Sequence, residues 1–303
     1  MSIAIKKDKT TNSIKIIPFR DFSVSTKTFI VYTNLLMDIE KIFDNNVLPI
    51  TEYTFVQKKR GRKRKQAVED PNKEVESGSI IMVQFRDQFR GAKLKKTSSF
   101  FRNSMPVVMK VQDKLISFKV SSKGKFQITG CRTNKQAEIC VIQFFTVIKS
   151  HTDLYSFTKG ETHLKICFEP VMYNVDFSLG FQVNREKLDI FVNTKTNHTS
   201  LLETTIGYTG VNIKMLVPES KLHEIKIDCK EYLEDGSVLE SEMTYDSFFQ
   251  TFKTKKKKPI YNTFLVFQSG SVIMSGKTLS CMEHAYDEFI QIILTCFEQN
   301  ITQ

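Results

Sequence analysis

The sequence predicts an α+β protein built from two tandem units, each a strand, a helix, further strands and a second helix. Three observations predict it. The order of elements recurs once along the chain, glycines stand at matching hairpin positions, and an amphipathic helix closes each half. In the first half Val107-Val108-Met109-Lys110-Val111 precedes Lys123-Gly124-Lys125-Phe126-Gln127-Ile128-Thr129-Gly130 and an apolar-periodic stretch over 134–148. In the second half Val211-Asn212-Ile213-Lys214-Met215 precedes Ser269-Gly270-Ser271-Val272-Ile273-Met274-Ser275-Gly276 and a periodic stretch over 282–297.

The elements follow from local patterning. Strands alternate, and Gly124 and Gly270 permit tight hairpins before a second glycine, Gly130 or Gly276, closes the next strand. The helical stripes read as Ile139, Ile142, Phe145 and Ile148 in the first half and Tyr286, Phe289, Ile293 and Phe297 in the second. One stripe per helix needs one sheet face to cover. Upstream, an extended segment over 22–33 leads into a helix over 38–43, and one over 171–183 leads into a helix over 185–192. An ordinary α+β chain with accidental internal similarity is the competing reading.

This places the units at 1–155 and 156–303, with unequal spacing between landmarks locating an insert at about 50–103 in the first and about 216–262 in the second. Segments 80–85 and 222–228 are expected to add strands within those inserts. Lys58-Lys59-Arg60-Gly61-Arg62-Lys63-Arg64-Lys65 and Lys255-Lys256-Lys257-Lys258 read as solvated loops.

The chain has 303 residues, 41% of them hydrophobic, which supplies a core and excludes wholesale disorder. Its 44 basic and 33 acidic residues give a net charge of +11. Most of that sits in one place. Segment 50–103 carries +8 and segment 216–262 carries −1, leaving the two-unit core at +4. Basicity alone therefore does not mark a nucleic-acid face.

No apolar run reaches the roughly 18 residues of a membrane span, and residues 1–20 lack a signal peptide's apolar stretch. An intracellular protein without a membrane partner is expected. The six cysteines show no CxxC pair and no histidine at ligand spacing, so neither zinc nor a disulfide framework is expected. There is no P-loop, GxGxxG or HExxH, and no nucleophile elbow beside any of the five histidines. The expectation is a non-enzyme with no catalytic residues, metal or cofactor. Only nine of the 44 basic residues are Arg, a bias that AT-rich genomes tend to produce.

The second half resembles the second repeat of the TATA-box-binding protein family. Tyr208-Thr209-Gly210-Val211-Asn212-Ile213-Lys214-Met215 and Phe264-Leu265-Val266-Phe267-Gln268-Ser269-Gly270 carry the resemblance, and 107–111 with 121–130 carry it in the first half. It covers the chain outside the inserts. Those inserts and the lysine-rich composition look like the divergent relatives encoded by large cytoplasmic DNA viruses. A viral factory in the host cytoplasm, the host nucleus or the virion is the location this implies.

The resemblance implies a pseudo-twofold saddle, a curved antiparallel sheet with helices on its convex face and AT-rich double-stranded DNA in its concave one. Aromatic wedges open the minor groove and bend the duplex. Phe267 and Tyr208 fall on wedge positions of the second repeat, and Ser104 and Val120 on those of the first, where Phe118, Phe100 or Phe101 are alternative wedges. Asn174 and Thr26 match the positions that hydrogen-bond minor-groove acceptors. Lys110, Lys125 and Lys214 match phosphate contacts, with Ser271 at the fourth such position. Val107, Met109 and Val111 are expected to pack inside while Val108 faces the ligand. Arg60-Gly61-Arg62 resembles an AT-hook core; a nuclear-targeting or nonspecific tether and a plain solvated loop are the alternatives.

The resemblance thus implies a transcription initiation factor whose protein partners are RNA polymerase or other initiation factors. A scaffold for transcription proteins with weak or no DNA bending is the alternative, and a nuclease or glycosylase ranks last for want of a carboxylate cluster. Oligomeric state is not legible.

Overall fold

The computed structural model describes residues 2–7, 14–55, 71–92, 103–202, 210–252 and 258–298. In chain order the elements are β1 (Ser2–Ile3), β2 (Ile5–Lys7), β3 (Ile14–Ile16), a 3-10 turn (Phe19–Asp21), β4 (Val24–Thr33), β5 (Leu35–Met37) and α1 (Ile39–Asp44). Next come β6 (Ile80–Phe85), β7 (Gln88–Gly91), β8 (Ser104–Val111), β9 (Lys114–Ser121), β10 (Lys125–Cys131) and α2 (Asn134–Ile148). Then follow β11 (Tyr155–Phe157), β12 (Leu164–Ser178), α3 (Arg185–Lys195), β13 (Thr199–Leu202), β14 (Gly210–Leu216) and α4 (Glu219–His223). The last are β15 (Lys226–Tyr232), β16 (Val238–Thr244), α5 (Tyr245–Phe252), β17 (Tyr261–Phe267), β18 (Ser271–Gly276) and α6 (Leu279–Glu298). The pairing is mostly antiparallel, so the chain is α+β.

Two compact units divide the chain. A terminal unit takes Met1–Lys27, Pro170–Ile227 and Glu242–Gln303, and a central unit takes Thr28–Glu169 and Asp228–Ser241.

In the terminal unit β13, β14, β17, β18 and the second half of β12 pair in that order. Alternation sorts their side chains onto two faces. Val211, Ile213, Met215, Phe264, Val266, Val272, Met274, Val175 and Phe177 are buried on one face. Helix α6 covers it, and as predicted Tyr286, Phe289 and Ile293 are buried, while the side chain of the fourth predicted residue, Phe297, lies outside the described ones. Phe289 stacks on Phe264 at 4.2 Å between centroids, and Tyr286 meets Phe177 edge-on at 5.5 Å. Each such burial contributes about 1.5–3 kcal/mol. Thr278 starts the helix by accepting a hydrogen bond from the Cys281 amide. Between β17 and β18 the turn needs glycine, because Gly270 has φ +78° and a Cβ there would collide with the Phe181 carbonyl.

In the central unit the residues of β4 from Thr28 onward pair with β10, followed in order by β9, β8, β6 and β7, while the first half of β12 pairs with β15, and β15 with β16. Helix α2 is capped by Thr133, whose hydroxyl accepts from the Gln136 amide. Its buried apolar residues are Ala137, Cys140, Val141, Phe144 and Ile148, which corrects the predicted stripe of Ile139, Ile142 and Phe145. Steps of three turn a helix by only about 300°, so such a run drifts off its face, whereas mixed steps of three and four stay on it. Phe144 meets Phe126 and Phe118 edge-on at 5.4 and 6.3 Å, and Phe145 instead meets Tyr155 at 5.5 Å.

The inserts are more structured than loops. Segment 80–85 is a strand as predicted, but the second insert opens with helix α4, and its strand starts only at Lys226. Cys167 and Cys229 stand directly opposite across β12 and β15, and their sulfurs are bonded. The sequence, which points to no disulfide framework, gives no sign of this one bridge. The two cysteines lie 62 residues apart, and only the added β15 makes them neighbours. Arg60-Gly61-Arg62 and the rest of 58–65, together with Lys255 to Lys257, lie outside the described residues.

Candidate nucleic-acid interface

Opposite its α6-covered face, the terminal unit's sheet presents a second face, and strand register orders it into two rows. One row runs Thr199, Lys214, Thr263, Ser275, Asn174 from β13 to β12. The next runs Leu201, Asn212, Leu265, Ile273, Asp176. All ten are half-exposed or exposed, and Leu201 is 61% exposed. Polar groups thus alternate with aliphatic ones across a surface that no described helix covers.

Asn174 and Thr26 come together here. Asn174 Nδ2 donates to Thr26 Oγ1 at 3.0 Å, while the buried Asn174 Oδ1 has no hydrogen-bond partner. The pair keeps the threonine hydroxyl proton and the second amide proton as donors. Lys214 is exposed in the first row. Phe267 ends β17 half-exposed, opposite Gly210, and with Gln182, Gln268, Ser269 and Ser271 lines a cavity of about 570 Å³. A glycine as its cross-strand neighbour leaves one flank of the ring free of a facing side chain. Tyr208 lies outside the described residues.

The central unit differs. On its helix-covered face Phe126, Val120 and Met105 form one row and Ile128, Phe118, Val107 and Val83 the next. Val120 is fully buried there and Phe118 is 2% exposed, so neither is available as a wedge. The reason is strand parity: a residue on the α2 side cannot also face a ligand on the other side. Phe100 and Phe101 lie outside the described residues. Ser104, half-exposed, has the parity of the opposite face.

That opposite face carries the rows Gln127, Lys119, Pro106 and Thr129, Ser117, Val108, Met82. Val107, Met109 and Val111 pack inside as expected. Val108 points the other way but is 2% exposed and therefore already covered. Lys110 donates to the Asn72 carbonyl at 2.9 Å, which ties it to the first insert. Lys125 is exposed and lies 4.5 Å over the Tyr32 ring, whose hydroxyl donates to Glu169 at 3.3 Å. These two lysines hold intramolecular partners that a phosphate would have to share or displace.

The family resemblance points to Thr26 in the first repeat and to Asn174, Lys214 and Phe267 in the second, and all four lie in the terminal unit. Sequence reasoning missed Asn212, Leu265, Ile273 and Asp176, although alternation about the named positions carries that signal. Leu201 had no signal, because β13 does not belong to the repeated grammar.

Among the described residues no group of three or more His, Cys, Asp or Glu side chains is placed to hold a metal. No described helix is long and apolar enough to cross a membrane.

No family model matches the chain. An uncharacterized protein, 335L, of Invertebrate iridescent virus 6 is 28% identical over 209 residues, 66% of this chain and 62% of that protein. The chain therefore spans about three fifths of that viral relative. Among solved structures, Methanococcus jannaschii TBP aligns over 90% of this chain and 98% of its own at 12% identity, with a TM-score of 0.41. An alignment that loose fixes no residue correspondence.

Proposed function

We propose that the chain is a TATA-box-binding-protein-like transcription initiation factor of viral type that binds AT-rich duplex DNA in the minor groove and bends it. The reading requires no catalysis, metal or cofactor. It takes the terminal unit's open face as the DNA surface. The observation that carries it is that open face, where the Asn174–Thr26 pair, Lys214 and Phe267 stand together beside Leu265 and Ile273.

Each group has a physical task. A widened minor groove offers acceptors and sugar edges, so amide and hydroxyl donors match A·T pairs while aliphatic side chains fill the groove floor. Lys214 neutralises a phosphate and makes affinity salt-dependent. Phe267 at the strand end enters a base step. Footprinting on AT-rich and GC-rich duplexes, with distamycin as a minor-groove competitor, tests the reading. Protection of AT-rich DNA that distamycin removes supports it; indifference to distamycin contradicts it.

A second reading has its own observation. Val120 and Phe118 are buried on the covered face, so the described central unit has no wedge at the matching positions. A scaffold that recruits polymerase or initiation factors with little bending fits that asymmetry. A bend angle near zero by energy transfer, with partner recruitment intact, favours it.

A further inference from the structure

We propose that Asp176 makes the terminal unit read a guanine at one position of an otherwise AT-rich site, by accepting a hydrogen bond from the base's minor-groove amino group. This rests on the minor-groove reading above. The strand pattern carries the placement: Val175 and Phe177 are fully buried toward α6, so Asp176 between them projects from the open face, in register with Ile273 and two residues from Asn174. Its carboxylate is half-exposed and makes no hydrogen bond or ion pair to any described residue.

The surroundings limit what can sit against it. Ile273 and Leu265 flank it across β18 and β17, so a ligand pressed onto those side chains strips water from the carboxylate. An ionised carboxylate is acceptor-only, and burying it without a donor is costly. The A·T edge of the minor groove shows only acceptors, whereas guanine adds the one donor available there, its N2 amino group. Once a ligand has displaced its water, the Asp176 carboxylate fits a base step that presents an amino group and opposes a pure A·T step. Asp176 thus selects against an uninterrupted A·T tract and fixes the register of the protein on its site.

The test compares duplexes that differ by one functional group. An AT-rich duplex carries a single G·C pair at each position in turn, or an inosine·C pair at the same position, which lacks only the minor-groove amino group. The full chain is expected to bind the guanine duplex about tenfold more tightly than the inosine duplex at one position, and Asp176→Ala to bind both alike. Melting temperature serves as the folding control, since the carboxylate has no partner to lose. Equal binding of guanine and inosine duplexes at every position, with AT-rich DNA still bound, overturns this proposal alone. Retention of the difference in Asp176→Ala also overturns it. Failure to bind any duplex overturns the minor-groove reading and this proposal with it.

Discussion

Phe267 and Val120 show how one parity step decides what a side chain can do. Both sit near strand ends beside tight turns, yet Phe267 stands half-exposed on an uncovered face and Val120 lies fully buried against Phe126. Phe267→Ala is therefore expected to leave the melting temperature nearly unchanged, and under the proposed function to lower DNA affinity about tenfold and reduce the bend angle, because that reading has the ring enter a base step. Calorimetry and energy transfer on one bent duplex check both halves. Lys214→Ala is expected to lower the salt slope of binding by about one without changing sequence preference, measured by titration at several ionic strengths. Asn174 and Thr26 were named only through the family resemblance, and the structure brings the two side chains within hydrogen-bond distance. Asp176 was not legible, because a lone acid in a strand carries no meaning until register shows which face it takes.

Strands and helices were more legible than their contacts. The predicted helices over 38–43, 134–148, 185–192 and 282–297 all overlap observed ones, because apolar periodicity is a local signal. The phase of α2 was misread, because its Ile139, Ile142 and Phe145 look like a stripe until the drift of threefold steps is counted. Phe144, which meets Phe118 and Phe126, is the anchor of that helix. Phe144→Ala is expected to cost about 3–5 kcal/mol by denaturant titration. Helix α2 also ties to the second insert through Glu138, which accepts from Tyr232 at 2.7 Å and from Lys230 at 3.2 Å. Burial pushes the Glu138 carboxyl up, but hydrogen bonds from Tyr232, Lys230 and Lys135 outweigh it and hold the carboxyl below its ordinary value. A depressed carboxyl contributes stability that is present above the unfolded value of about 4.3 and is lost as pH falls through the folded one. Thermal melts between about pH 6 and pH 3 are expected to steepen through this group, and Glu138→Gln to flatten that dependence.

At the scale of the whole molecule, the net charge of +11 misleads if read as a uniform DNA-binding surface. Much of it belongs to 50–103, where Arg60 to Arg64 lie outside the described residues, and Lys110 is held by the Asn72 carbonyl. The alternation of donors and aliphatic groups on the terminal unit's open face makes the stronger case for DNA, and it makes a claim about one groove. That claim is tested most directly by replacing every A·T pair of a footprinted site with inosine·C, which keeps the minor-groove acceptors and changes the major groove. The account predicts affinity within about twofold of the original site. A loss of more than about tenfold on that substitution would show major-groove reading and contradict it.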